Sequence, residues 1–326
     1  MERRDAVYRA YWSFASERQR IFERRVVDGE APPWTGDEIL ARYKFTNPWR
    51  ASDRVSQYLI RDVIYARPDL SAEDQLARIV LFRLFSKPST WRAIERTLGP
   101  LRRATLRSPA LPKLLGQLQA DGPIYTNAFI LCATNAFGHD RKYLNHLALV
   151  RAMLRGGRLP RAVARARRLE AIYDALLTFP LIGPFMAYQL AIDINYSELA
   201  DFSEDEFTVP GPGAERGIRK VFPAAQRRDM APIIHGMVSE QEDACARLGI
   251  ARPTLFGRPL RAIDCQNLFC ELDKYARVRF PELRSNRQRI KATFVASVEP
   301  LSLFYPPKWR INERLPAPRA TLPHAA

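Results

Sequence analysis

Helical periodicity, with almost no strand-like alternation, is what most limits the folds open to this chain. "SAEDQLARIVLFRLF" begins at Ser71 with Asp74 three residues later, a variant of the helix-capping signal. Leu76, Ile79, Val80 and Leu84 then fall on one apolar face. Pro88 stops that run, and "STWRAIERTL" opens another. "RAVARARRLEAIYDALLTF" reads as a helix with a basic first half, and "MAPIIHGMVSEQEDACARLGI" as a further clear helix. "PIYTNAFILCATNAFG", with Tyr125, Asn127 and Asn135 among apolar residues, fits a buried helix or a short strand. The expected fold is all-α, as two helical lobes around a cleft. The spacing of elements predicts one domain over residues 1–310, and the Pro/Ala-rich residues 311–326 read as a loose tail. At 47% hydrophobic the chain can build a full core.

Two Gly/Pro turns punctuate the helices. In "FPLIGPFMAYQL", Gly183 allows a tight path and Pro184 suits a first helical turn. Gly183, Pro184 and Phe185 thus form the end of a hairpin, within a hairpin region of about 170–222, and the new helix turns its free N–H groups outward. Such an end can bind a phosphate, and it can equally be a plain helix–helix corner. In "EDEFTVPGPGAERGIRKVF", Gly211 and Gly213 bracket Pro212 and a helix follows. Arg216, Arg219 and Lys220 lie at about one-turn spacing and could line a phosphate track. Glu204, Asp205 and Glu206 stand just before that turn, either as a capped helix start with Ser203 or as acids beside a bound nucleotide.

Charge points to a polyanion. Net charge is +16, mostly from arginine, which favours nucleic acid as the partner. The four cysteines fit no zinc ribbon and the four histidines form no HExxH or HxH pattern, so no metal and no cofactor are expected. No signal-peptide core or run of eighteen apolar residues occurs, so no membrane partner is expected. The expected setting is reducing and cytoplasmic, on nucleoid or phage DNA, with a monomer as the simplest state.

Two further clusters carry candidate chemistry. "KFTNPWRASDR" sets Asn47, Arg50, Asp53 and Arg54 among Phe45 and Trp49, a combination suited to stacking on and reading a flipped base, or to a buried aromatic corner. "IDCQNLFCELDKYAR" places Asp264, Gln266 and Asn267 together, followed by Glu271, Asp273 and Lys274. Asp264 and Asn267 can share one helix face.

The hairpin at Ile182–Ala187, followed about twenty residues on by an acidic stretch, resembles the helix-hairpin-helix DNA glycosylase superfamily. Leu181 stands at that family's first hairpin glycine. Phe185 stands where lyase members have a lysine, so the resemblance implies a monofunctional enzyme without a Schiff base. The family's acid falls near Ser203 to Glu206 by spacing, although aligning the second turn puts Pro212 there.

A narrower resemblance covers most of the chain. "PPWTGDEILARYKFTNPWRASDRVSQYLIRDVI", "VPGPGAERGIRKVF" and "IDCQNLFCELDKYAR" are similar to blocks of the DNA base hypermodification proteins. These are the α-glutamyl/putrescinyl thymine pyrophosphorylase-like group, also described as a helical domain attached to hydroxymethyluracil DNA kinases. The resemblances imply a helix-hairpin-helix glycosylase-like fold and, as partner, DNA containing modified pyrimidines.

The leading expectation is a DNA glycosylase that flips out a phage-type modified pyrimidine and hydrolyses its N-glycosidic bond, in anti-phage defence. Asp264 is its first-choice acid, with Asp205 or Glu206 next. Phe45, Asn47, Asp53, Arg54, Gln266 and Asn267 would form the base pocket. Gly183, Pro184, Phe185, Gly211, Gly213, Arg216, Arg219, Lys220 and Lys274 would hold DNA. One alternative is a hypermodification transferase that replaces an activated 5-substituent with an amine. It would need a partner kinase, because no GxxxxGK[ST] occurs. The other is a module that binds modified DNA without altering it.

Overall fold

The structure is a computed structural model and describes residues 1–126, 135–283, 289–290, 292–295 and 301–316. The protein is all-α, as its periodicity predicts. Among the described residues the only β pairing is isolated bridges, one of which joins Tyr43 to Thr293. The helices run α1 (Asp5–Phe22), α2 (Glu38–Arg42), α3 (Arg54–Tyr58), α4 (Ala72–Phe85), α5 (Pro88–Leu98), α6 (Arg103–Arg107) and α7 (Ala110–Asp121). They continue as α8 (Lys142–Leu154), α9 (Arg158–Arg165), α10 (Leu169–Leu177), α11 (Pro184–Asn195), α12 (Pro212–Val221), α13 (Met230–Leu248) and α14 (Ala262–Arg279). By Cα proximity the chain groups into two compact units, one of residues 1–54 with 204–326 and one of residues 55–203. The boundary drawn from sequence ran from 1 to 310 as one domain. Packing continues past that point, since Ile311 is buried and Asn312 exchanges hydrogen bonds with the Tyr305 backbone at 2.8 Å.

In the first unit α1 and α14 form the core. Tyr11 and Trp12 of α1 are fully buried, and the Tyr11 ring lies 4.7 Å from that of Phe269. Helix α12 crosses α14 without room for side chains at two points. A methyl at Gly213 would overlap the Cys270 sulfur, and one at Gly217 would sit 2.7 Å from the Phe269 carbonyl carbon. The glycine of the second turn therefore answers to helix packing, a constraint set by a segment more than fifty residues away.

Electrostatics reinforces the same seam. Asp273 of α14 is fully buried and gathers Arg216 (3.0 Å), Lys220 (3.1 Å) and Arg277. Burial pushes its carboxyl up, but the hydrogen bond from Arg277 and the Lys220 charge overcome this and hold it below the ordinary value.

In the second unit α4 is buried along nearly its whole length. Ser71 caps it, its Oγ accepting from the Asp74 N–H at 3.2 Å. Two α4 arginines are also interior. Arg83 pairs with Asp193 of α11, Nη2 donating at 2.7 Å, and Arg78 donates to the Val63 carbonyl at 3.0 Å. Helices α10 and α11 form the hairpin. Leu181, at the turn, has φ of 69°, the left-handed conformation that glycine favours, and Gly183 precedes Pro184 as the cap residue of α11. The stretch read as one helix over 161–179 is broken, because Ala166–Arg168 is non-helical between α9 and α10.

Candidate functional site

The loop 45–54 and one face of α14 make a polar network inside the first unit. Asp264, Asn267 and Glu271 rise along that face at helical spacing, and each holds the loop. Asp264 Oδ1 accepts from the Arg50 backbone N–H at 3.1 Å. Asn267 donates to Thr46 Oγ1 (3.1 Å) and to the Asn47 carbonyl (3.2 Å). Glu271 Oε2 accepts from the Thr46 N–H at 3.0 Å. From the other side Arg18 of α1 donates to the Asn47 amide oxygen at 2.8 Å and to the Thr46 carbonyl at 3.1 Å. Ser52 and Tyr305 share a buried hydroxyl contact of 2.9 Å. The loop, which contains a short 3-10 turn at Arg50–Ser52, is thus held at many of its polar groups, as pre-organisation requires.

Asp264 is the third residue of α14 and is 3% exposed. Its second oxygen accepts from the Arg261 N–H at 3.1 Å, so both oxygens are used in capping the helix and tying down the loop. Burial, with Glu204 nearby, pushes its carboxyl up to about 7. Asp205 accepts from the Ala262 N–H at 3.1 Å and pairs with Arg261. Glu204 is buried and pairs with Arg258 at 3.1 Å, and the Arg258 guanidinium stacks 3.9 Å over Trp309. Residues 204–206 form a turn, not the helix start that Ser203 suggested, and Glu206 is exposed.

Asp53 differs from Asp264. Its Oδ1 accepts from the Asn47 N–H at 2.9 Å, and its second oxygen has no hydrogen bond among the described residues. The residue keeps partial solvent exposure, yet its carboxyl is surrounded closely enough that burial pushes it up to about 7. Glu271 pushes the same way, while Arg18 and Arg50 pull it down. Next along, Arg54 opens α3, and its charge acts on Arg25, which burial already pushes below the usual arginine range. Among the described residues, one carboxylate oxygen is thus left without a hydrogen bond where the Arg18 and Arg50 charges act.

The other sequence candidates fall in several places. Phe45 is buried edge-on against Phe14 and tilted against Tyr275, with Lys274 5.3 Å from its ring and also paired with Glu271. Gln266 is buried. Gly211 caps α12, whose Arg216 and Lys220 point at Asp273, and Arg219 is exposed. Gly183, Pro184 and Phe185 are exposed at the start of α11, in the second unit. Asn127 lies outside the described residues. Sequence reading missed Arg18 and the hollow of about 330 Å³ lined by Phe14, Glu17, Arg20, Asp37 and Tyr275. Nothing in the local pattern of α1 marks Arg18, because its partners lie in another element. Among the described residues no group of three or more His, Cys, Asp or Glu could hold a metal ion. No described helix is long and apolar enough to cross a membrane.

Residues 5–285 match the sequence model of the family described as 5-hmdU DNA kinase, helical domain. A 5-hmdU DNA kinase of Bacillus phage SP10 is 26% identical over 280 residues, which are 79% of this chain and 43% of that protein. The chain thus spans less than half the length of the relative. No solved structure matches. These findings correct the leading expectation of an N-glycosyl hydrolase. One match is to a kinase and the other to the helical domain of such kinases; a kinase transfers a phosphoryl group and leaves the glycosidic bond alone, so base excision and the glycosylase assignment are withdrawn. The narrower of the two resemblances is the one carried by the comparisons. The chain belongs to the family of 5-hmdU DNA kinase helical domains.

Proposed function

We propose that this chain supplies the acceptor side of DNA-base phosphorylation. It binds DNA carrying a 5-hydroxymethyluracil and presents the hydroxymethyl oxygen. The observation that carries this reading is Asp53, a carboxylate with one oxygen bound to the Asn47 N–H, one oxygen without a hydrogen bond among the described residues, and a pKa raised to about 7. A group tuned near neutrality is suited to accept a hydroxyl proton. As the hydroxymethyl oxygen attacks a phosphoryl donor, its new O–P bond forms and the donor's bridging P–O bond breaks. The hydroxyl proton passes to Asp53, as acceptor protons pass to an aspartate in other kinases. Arg18 and Arg50 offset the negative charge beside it. No step on the donor side is assigned to these residues.

A hydrogen bond from the hydroxymethyl group to a charged acceptor contributes about 1.5–3 kcal/mol, or roughly a 10- to 150-fold preference over thymine. Asp53→Asn should keep the fold and the affinity for thymine DNA while reducing that preference several-fold. Fluorescence anisotropy with matched duplexes reads both quantities. An unchanged preference in the variant removes Asp53 from the site.

A further inference from the structure

The second unit carries a charged strip to which the loop 45–54 gives no role. Between Asp140 and Glu170 the chain has no acidic residue, and the stretch from Arg151 to Arg168 holds seven arginines. Against a net charge of +16, this one stretch supplies a large share of the excess. Its shape follows from local structure. Gly156 and Gly157 take positive φ (56° and 68°) and turn the chain after α8. Helix α9 then buries Leu159 and Val163 and leaves Arg158, Arg161 and Arg165 exposed on its other side. Arg167 and Arg168 extend the strip through the break before α10.

Most of this charge has no internal use. Arg151 folds back, its Nε donating to the Leu106 carbonyl at 2.7 Å. Arg168 pairs with Glu170 at 3.2 Å, and Arg158 lies 4.7 Å over the Phe179 ring. Arg155, Arg161, Arg165 and Arg167 have no carboxylate partner among the described residues, and all four are exposed. Crowding like charges on one helix face is unfavourable unless a polyanion neutralises them.

We propose that this strip docks the phosphate backbone of DNA, independently of base sequence. Arg158 to Arg165 spans about 10 Å of helix, the axial rise of roughly three phosphates on one strand. Guanidinium groups suit bidentate contact with phosphate oxygens. With Leu159 and Val163 buried, α9 offers no apolar face to a lipid interface. The proposal shares with the acceptor-side reading only the class of partner, and Asp53 plays no part in it.

The test is the salt dependence of binding to an unmodified duplex, for wild type and for Arg161→Ala/Arg165→Ala/Arg167→Ala. Removing three phosphate contacts should flatten the slope of log K against log salt by about 2.7. Raising salt from about 50 to about 200 mM should then weaken the wild type about 40-fold more than the variant. The triple lysine variant should restore most of the slope, which separates lost charge from misfolding. The hydroxymethyluracil-to-thymine preference should not change. Equal slopes for wild type and the alanine variant overturn the proposal, as does an alanine variant that loses affinity for anionic phospholipid vesicles while its DNA slope stays the same. If the slope falls as expected but the wild type shows no preference for hydroxymethyluracil, the acceptor-side reading fails and the docking strip stands.

Discussion

Replacing Gly217 with alanine gives opposite signs depending on whether α12 and α14 approach as closely as the structure shows. Alanine in an exposed helix interior is about 1 kcal/mol better than glycine. Here the added methyl would lie 2.7 Å from the Phe269 carbonyl carbon and 3.2 Å from its Cα. Comfortable carbon contacts are about 3.5–4.0 Å, so α12 must retreat by about 1 Å from a backbone that has no rotamer to change. Overpacking of this kind costs about 1–3 kcal/mol, and here it also pulls at the ion pairs of Asp273. Set against the gain of about 1 kcal/mol, the net expectation is a loss of about 1–2 kcal/mol. Gly213→Ala meets mainly the Cys270 side chain, so Cys270→Ala should rescue it in a double-mutant cycle but should not rescue Gly217→Ala. Urea unfolding followed by circular dichroism measures the wild type and all five variants. A Gly217→Ala protein as stable as wild type, or more stable, refutes the close approach.

Two other expectations concern buried carboxylates. Asp273→Asn leaves Arg216, Lys220 and Arg277 around a neutral side chain and should cost about 3–5 kcal/mol, read by urea unfolding; a loss below about 1 kcal/mol would contradict the hub. Asp264, with a carboxyl at about 7 when folded against 3.8 ordinarily, binds a proton more tightly in the folded state. Its stabilising contribution is therefore complete below the unfolded value and is lost as pH rises through about 7. Between about pH 5 and pH 7 the wild type should lose about 1 kcal/mol more per pH unit than Asp264→Asn, and parallel pH profiles would contradict this.

Helix identity was legible where local chemistry decides it. The Ser71 cap, the break at Pro88 between α4 and α5 and the long amphipathic runs of α13 and α14 each announce themselves within a few residues. The hairpin was legible too, although at its turn Leu181 adopts a backbone that its side chain disfavours. What escaped depends on distant partners. Gly213 and Gly217 look like turn and helix residues until α14 is laid against them. Glu204 and Asp205 look like a catalytic run or a helix cap until Arg258 and Arg261 close on them. Asp264 drew attention as an acid in an amide-rich segment, but its two oxygens are occupied by backbone donors. Asp53 sat in the same reading as one base-pocket residue among several, and only the hydrogen-bond pattern around it singles it out. The chemistry expected of the chain erred for a different reason. A hairpin and nearby acids constrain how a chain can grip DNA, but leave open which bond is changed.

The central claim is recognition of a hydroxymethylated pyrimidine in DNA, and equilibrium competition tests it most directly. Two duplexes would differ only by one 5-hydroxymethyluracil in place of thymine, and each would displace a labelled thymine duplex from the wild-type protein. The hydroxymethyluracil duplex should compete at least about tenfold better. Equal competition by the two duplexes would contradict the account.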